Sequence, residues 1–181
     1  MADTLIIGDG PGGLSAALFL ARREQDVVVI GQDKTAMHFA QLNNYLGIPS
    51  VHGAEFQRTA REQVQAAGAT LRDDRVTDIE TSAEGFIATT ESGDQITAQV
   101  LILSEGKGPR LATALGLTAD DNGAISVDAN SLSAIPNVYV VGRSTRPGRS
   151  QAIISAGDGA AAAIDILSRA AGRPVCDWDS P

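Results

Sequence analysis

Thr4-Leu5-Ile6-Ile7-Gly8-Asp9-Gly10-Pro11-Gly12-Gly13 is the stretch that decides the fold. A short apolar run ends in a glycine turn, an alanine-rich stretch from Leu14 to Arg23 follows, and a second apolar run occupies Val27 to Ile30. Strand, G-x-G-x-x-G turn, helix and strand within about 30 residues form the context in which this motif binds a dinucleotide. Gly8 permits the tight turn, and Gly10 has no side chain to hold a pyrophosphate away from the backbone. Gly13 lets the helix pack closely on the strand. With Pro11 and Gly12 the turn delivers the chain to a helix start whose unpaired N–H groups and positive dipole end suit phosphate oxygens.

Outward from this unit, composition narrows the class. A chain of 181 residues, 43% hydrophobic, is enough for one domain with a proper core. Nineteen glycines and only 4% aromatics suit a nucleotide-binding α/β fold with close backbone approaches. The net charge of −8, with no Lys or Arg cluster longer than a pair, argues against nucleic acid or an anionic membrane as partner. The first apolar run is too short for a signal peptide, and no stretch approaches the roughly 20 apolar residues of a membrane span. A soluble, cytoplasmic protein is expected. Cys176 is the only cysteine, so neither an internal disulfide nor a C-x-x-C pair exists within the chain. It reads as an incidental tail residue or as a mixed-disulfide partner.

Residues 31–53 read as an irregular excursion, and Gly53 to Ala67 as a helix using Phe56, Ala60 and Val64 as one face, closed by Gly68. Val76–Ile79, Gly85–Thr90 and Gln95–Ala98, separated by turn residues, predict a three-stranded meander. The continuous apolar run Val100–Leu103 predicts a strand buried on both faces, and Val138–Val141 the last parallel strand. Residues 111–130 read as turns with a short strand around Ile125 and Val127. The final helix is expected over Ile153–Ala171, stopped by Gly172 and Pro174, with an extended tail to Pro181. The expected architecture is an α/β, Rossmann-like dinucleotide-binding fold: a central parallel sheet, helices on one face and the meander on the other.

Several further blocks carry a resemblance: Asn44-Tyr45-Leu46-Gly47-Ile48-Pro49, the Gly106-Lys107-Gly108-Pro109 turn, Leu115-Gly116-Leu117, and Gly123 to Asp128. The most specific are Pro136-Asn137-Val138-Tyr139-Val140-Val141-Gly142 and Gln151-Ala152-Ile153-Ile154-Ser155-Ala156-Gly157-Asp158-Gly159, in that order. With Gly8–Gly13 they resemble the FAD-binding domain of thioredoxin reductase-like flavoproteins, within the pyridine nucleotide-disulfide oxidoreductases. The resemblance covers essentially the whole chain. It implies one FAD-binding domain over residues 1–181, with a first half to 109 and a second half from 110. Family members insert an NADPH domain with its C-x-x-C between these halves. Here about 27 residues separate Gly106 from Ser133, fewer than the ~30 that one βαβ unit needs. The implied protein is a single-domain form, not a self-contained thioredoxin reductase. Electrons would come from transiently bound NAD(P)H or from a separate reductase or redox protein, and relatives suggest a homodimer.

The resemblance also assigns roles. Gly8, Gly10, Pro11, Gly12 and Gly13 would wrap the FAD pyrophosphate. Asp33, two residues beyond the end of the second strand, either reaches the adenosine ribose or is a solvated turn residue. Gln151 and Ala152 fall at the flavin pyrimidine edge before a helix start, and Asn43 or Asn44 would bond the flavin's polar edge. Two positions depart from the family. Ser104-Glu105-Gly106 stands for Ala-Thr-Gly, and Gly142-Arg143 for Gly-Asp. Arg143 would pair with a phosphate, or Glu105 and Arg143 would pair with each other and close the site. Tyr45 and Trp178 are candidates to cover a ring system, Trp178 equally to pin the tail. His38 and His52 lack metal-ligand spacing, and no Cys/His cluster supports zinc. Two other readings stay open: a non-catalytic module holding FAD or another adenine nucleotide, and a cleft for NAD(H) alone.

Overall fold

The computed structural model describes residues 1–176; Trp178 and the expected tail from 177 to 181 lie outside them. Nine strands and four α-helices alternate along those residues. Strand β1 (Ala2–Ile7) leads through the glycine turn into α1 (Pro11–Ala21) and on to β2 (Val27–Gly31). The excursion after β2 contains a 3-10 turn over Ala36–Phe39 and a small hairpin of β3 (Gln41–Leu42) and β4 (Val51–His52). Next come α2 (Gly53–Ala66), β5 (Thr70–Asp73), and the strands β6 (Val76–Ser82), β7 (Gly85–Thr90) and β8 (Gln95–Leu103). Helix α3 (Arg110–Ala114), β9 (Val138–Val140) and α4 (Ala152–Ala171) complete the order.

Seven strands form one sheet, ordered β5-β2-β1-β8-β7-β6, with β9 also on β8. The pairings of β5, β2, β1, β8 and β9 are parallel, and those of β8, β7 and β6 antiparallel. Residues 95–98 and 100–103, expected as two strands, are one. Ala98 pairs with Phe86 on one side and Ala2 on the other, so the chain passes from meander to parallel core without a break. Burial changes along β8 accordingly. It alternates near Ile96 and Ala98, where one face meets water, and is continuous over Leu101–Leu103.

The sheet has a core on each face. Leu5, Ile7, Val28 and Ile30 pack with Val76, Phe86, Ile96 and Leu111, beneath the meander and α3. Ile6, Val27, Val29 and Ile102 pack on the opposite face with Leu14, Ala17 and Leu20 of α1, Val64 of α2, and Ala162, Ala163 and Ile166 of α4. The alternation of Leu5, Ile6 and Ile7 between the two clusters is the period-2 geometry of a strand.

Helix α2 sets Ala60 and Val64 of its expected face against the core and differs at Phe56. Gly53, Gln57 and Val64 are its buried residues, while Phe56 is half-buried against the Tyr45 ring, 5.5 Å between centroids. Helix α3 replaces part of the expected turns. Its first N–H groups, from Leu111 and Ala112, donate to the Glu105 carboxylate at 2.7 and 3.0 Å. Burial pushes the Glu105 carboxyl above the usual carboxylate range, against the opposing pull of those N–H groups. Gly172 ends α4 in the left-handed conformation, φ 63°.

Helices α1 and α4 touch backbone to backbone. A Cβ on Gly159 would lie 2.0 Å from the Gly12 carbonyl oxygen, whereas one on Gly157 meets nothing within 4 Å. Gly159→Ala should therefore lower the urea midpoint, by about 1–3 kcal/mol of overpacking. Gly157→Ala, two residues away on the same helix, should be neutral or stabilise by up to about 1 kcal/mol through helix propensity. Glu105 gives a pH signature. With its folded pKa raised, its contribution to stability is full below the unfolded value and lost as pH rises through the folded one. Urea midpoints from mildly acidic to neutral pH should fall less steeply in Glu105→Gln than in the wild type.

Candidate functional site: a cleft between two helix starts

Gly8 sits where the end of β1 is hemmed in by β2 and the exit of β8. Its φ is 103°, its N–H donates to the Ile30 carbonyl at 2.8 Å, and a Cβ would lie 2.1 Å from the Ser104 carbonyl oxygen. Only glycine meets both conditions. Gly10 is the N-cap of α1, in extended conformation, and Pro11 follows inside the helix. No side chain caps this helix and no acidic residue lies in its first turn, so the N–H groups of Gly12 and Gly13 have no intrahelical partner. A Cβ on Gly10 would come no nearer than 4.0 Å to Ser104 Oγ, which leaves the space above the turn open.

Helix α4 brings a second start to the same place. Gln151 is its N-cap, again without a side-chain cap or a first-turn acid. Gly12 and Ser155 are close enough that a Cβ on Gly12 would lie 3.1 Å from the Ser155 carbonyl oxygen. Gly142, φ 73°, turns the chain after β9 beside Ser155 Oγ. Between these elements runs a cleft of about 580 Å³, walled from Gly31 at one end to Ala152 at the other.

Gly8, Gly10, Pro11, Gly12, Gly106, Gly142, Arg143 and Ala152 line the cleft. Gly13 stands behind it, where a Cβ would meet the Gly8 carbonyl oxygen at 2.0 Å. Asn44 Nδ2 donates to Gln151 Oε1 at 2.9 Å and so ties the excursion to the start of α4, outside the lining. Asn43 accepts from the Ser50 hydroxyl. Asp33 is also outside the lining. Its φ is 51°, and its carboxylate lies 3.3 Å from His38 Nε2. His52 caps α2 by accepting the Ala54 N–H. Among the described residues, no group of three His, Cys, Asp or Glu is placed to hold a metal.

Glu105 and Arg143 do not pair. The carboxylate is engaged at the start of α3, while Arg143 lines the cleft with its buried Nε lacking a hydrogen-bond partner. The closed-site alternative is thereby removed. Lys34, Arg75, Lys107 and Arg110 also reach the cleft wall, although the chain as a whole carries −8. Arg110 is anchored there by donating to the Val76 and Thr77 carbonyls at 2.7 and 2.8 Å.

A charged cluster built around the buried Asp9, at the β2 end, escaped the sequence reading. Asp9, inside the glycine turn, is only 4% exposed. Arg61 of α2 bonds both Asp9 and Asp73 at the end of β5. Gln57 Nε2 donates to the Asp9 carbonyl at 2.5 Å, and the Asp33 N–H donates to Asp9 Oδ2 at 3.0 Å. The available signal was a pair of oddities: an acid between the first two fingerprint glycines, and a glycine, Gly31, at the end of β2.

Two uncapped helix starts, an open glycine cradle, a free Arg143 Nε and a cationic wall suit a long dianionic nucleotide such as FAD. The family of pyridine nucleotide-disulphide oxidoreductases matches residues 41–159, and an FAD binding domain family matches residues 3–43. Thioredoxin reductase tcpT of Claviceps purpurea is 33% identical over 111 residues, 59% of this chain and 35% of that protein. The thioredoxin reductase of Streptomyces coelicolor is 31% identical over 124 residues, 66% of this chain and 38% of that protein. The chain thus spans little more than a third of the length of these relatives. Among solved structures, a thioredoxin reductase from Gloeobacter violaceus superposes with a TM-score of 0.88 at 17% identity, covering 98% of both chains. An atypical thioredoxin reductase from Desulfovibrio vulgaris Hildenborough gives 0.83 at 20%, covering 93% of this chain and 97% of that one. These likenesses show the fold. With a family match over 41–159 and the cleft geometry in agreement, the chain belongs to the pyridine nucleotide-disulphide oxidoreductase family, as an FAD-binding domain of the thioredoxin reductase type.

Proposed function

We propose that residues 1–181 form one FAD-binding oxidoreductase domain whose electrons arrive from outside it, from free NAD(P)H or a separate redox protein. The observation that carries this reading is the convergence of two uncapped helix starts on one glycine-walled cleft. The backbone of Gly10, Gly12 and Gly13 would hold the pyrophosphate, with Arg143 as its side-chain counter-charge. The α4 start at Ala152 would favour negative charge placed beside it, and the Asn44–Gln151 bond fixes the polar edge of that end. Bound FAD supplies reversible two-electron transfer; the protein positions it and sets its surroundings.

The connection between the two halves supports an external electron source. The connection from β8 to β9, residues 104–137, holds the five-residue α3 and turns, and the chain has one cysteine. Neither a second dinucleotide unit nor a dithiol pair is available between the halves. Among the described residues, no helix is long and apolar enough to cross a membrane. A homodimer and a cytoplasmic setting complete the reading, and gel filtration tests the first.

The visible spectrum of freshly purified protein, with identification of any released chromophore, tests the cofactor. Stoichiometric FAD is expected. A colourless protein that takes up no added FAD overturns the proposal. Anaerobic addition of NADH or NADPH, or of a reduced redox protein, should then bleach the flavin band. A tightly held flavin that none of these reduces would select the non-catalytic module instead.

A further inference from the structure

In dinucleotide-binding βαβ units, an acidic residue at the end of the second strand takes the ribose hydroxyls of the adenosine. Here that position is Gly31, and the next acid, Asp33, holds its carboxylate beside His38. The space above Gly31 is nevertheless filled. A Cβ built on Gly31 would lie 2.3 Å from Asp9 Cγ and 2.5 Å from Asp9 Oδ1. The carboxylate of Asp9 therefore stands where the side chain of residue 31 would begin.

We propose that Asp9, rather than a residue at the end of β2, supplies the carboxylate that accepts the ribose hydroxyls of the adenosine half of FAD. The proposal rests on the FAD reading above. Asp9 lines the cleft together with Gly31 and Gln32 while remaining 96% buried by its 4% exposure. Its two oxygens are used unequally. Oδ2 accepts from Arg61 and from the Asp33 N–H, whereas no described group donates to Oδ1, the oxygen over Gly31. That leaves Oδ1 open to a donor from the cleft, and a ligand hydroxyl would supply one.

The surroundings make such a carboxylate tolerable near phosphate. Arg61 is shared between Asp9 and Asp73, and with Asp33 close by the cluster keeps negative character at the ribose end. Gln57 and the Asp33 N–H fix the turn that carries Asp9. Arg61 and Gln57 are positioning residues for it. The same geometry explains Gly31, since any side chain there would collide with Asp9. Acid and glycine have in effect exchanged places between residues 9 and 31.

Calorimetric titration of flavin-stripped protein with FAD, ADP and 2′,3′-dideoxy-ADP tests the assignment. Wild type should prefer ADP to the dideoxy analogue by about tenfold or more, as a charge-assisted hydrogen bond implies. Asp9→Asn should weaken ADP binding by a similar factor and abolish the preference. The exchange variant Asp9→Gly with Gly31→Glu should restore both. A wild type indifferent to the ribose hydroxyls overturns the assignment, and needs no variant to fold. So does an Asp9→Asn protein that keeps the preference while binding both nucleotides more weakly, the signature of a merely structural residue. If wild type takes up neither FAD nor ADP, the cofactor reading fails first and this inference with it.

Discussion

The contact between Gly12 and Gly159 is the constraint on which the rest of the molecule depends. Helices α1 and α4 approach until the Gly12 carbonyl occupies the volume that a methyl group on Gly159 would need. Ala16, Ala17, Ala162 and Ala163, all fully buried, keep the seam narrow along its length. Close approach increases dispersion contact per unit length and excludes water from both helix backbones. It also fixes geometry. Because the helices meet near their N-terminal ends, both starts open onto one space, and Gly142 is pressed against Ser155 at its edge.

That arrangement sets the electrostatics of the cleft. Each helix start presents roughly half a positive charge through its unpaired N–H groups. Neither start spends this on a side-chain cap, and both lack first-turn acids. A strongly acidic chain thus keeps a locally positive hollow, while Asp9, one of three acids on its wall with Asp74 and Glu105, is held in check by Arg61. The Arg61 guanidinium lies directly on the buried Asp9 carboxylate, so little water intervenes to screen the pair.

Local encoding explains what could be read from sequence. The β1–turn–α1–β2 unit is specified by residues within one short stretch, so its elements lie close to where the pattern puts them. The meander strands were legible through alternation and turn residues. The fusion of two expected strands into β8 was not, because a change of neighbours alters the hydrophobic pattern exactly as a break would. Helix α3 is too short to show a period, and its cap comes from Glu105, which precedes it by five residues. At the site, the glycines and Arg143 announced themselves by motif. Asp9, Gln57 and Arg61 did not, because their roles arise from contacts across 48 and 52 residues of chain. Gln57 looks like a solvent-facing residue of an amphipathic helix until its partner, a turn carbonyl, is in view.

The pairing of Leu103 with Val140 has a consequence for how such proteins vary. The chain leaves the sheet at the end of β8 and re-enters it on the adjacent strand, so the two ends of the intervening connection are held side by side whatever lies between them. Closing a flexible connection across fixed ends costs only about 0.6 kcal/mol for each doubling of its length. The sheet therefore acts as a socket. Material could be added or lost at this point with little effect on the strands that grip it.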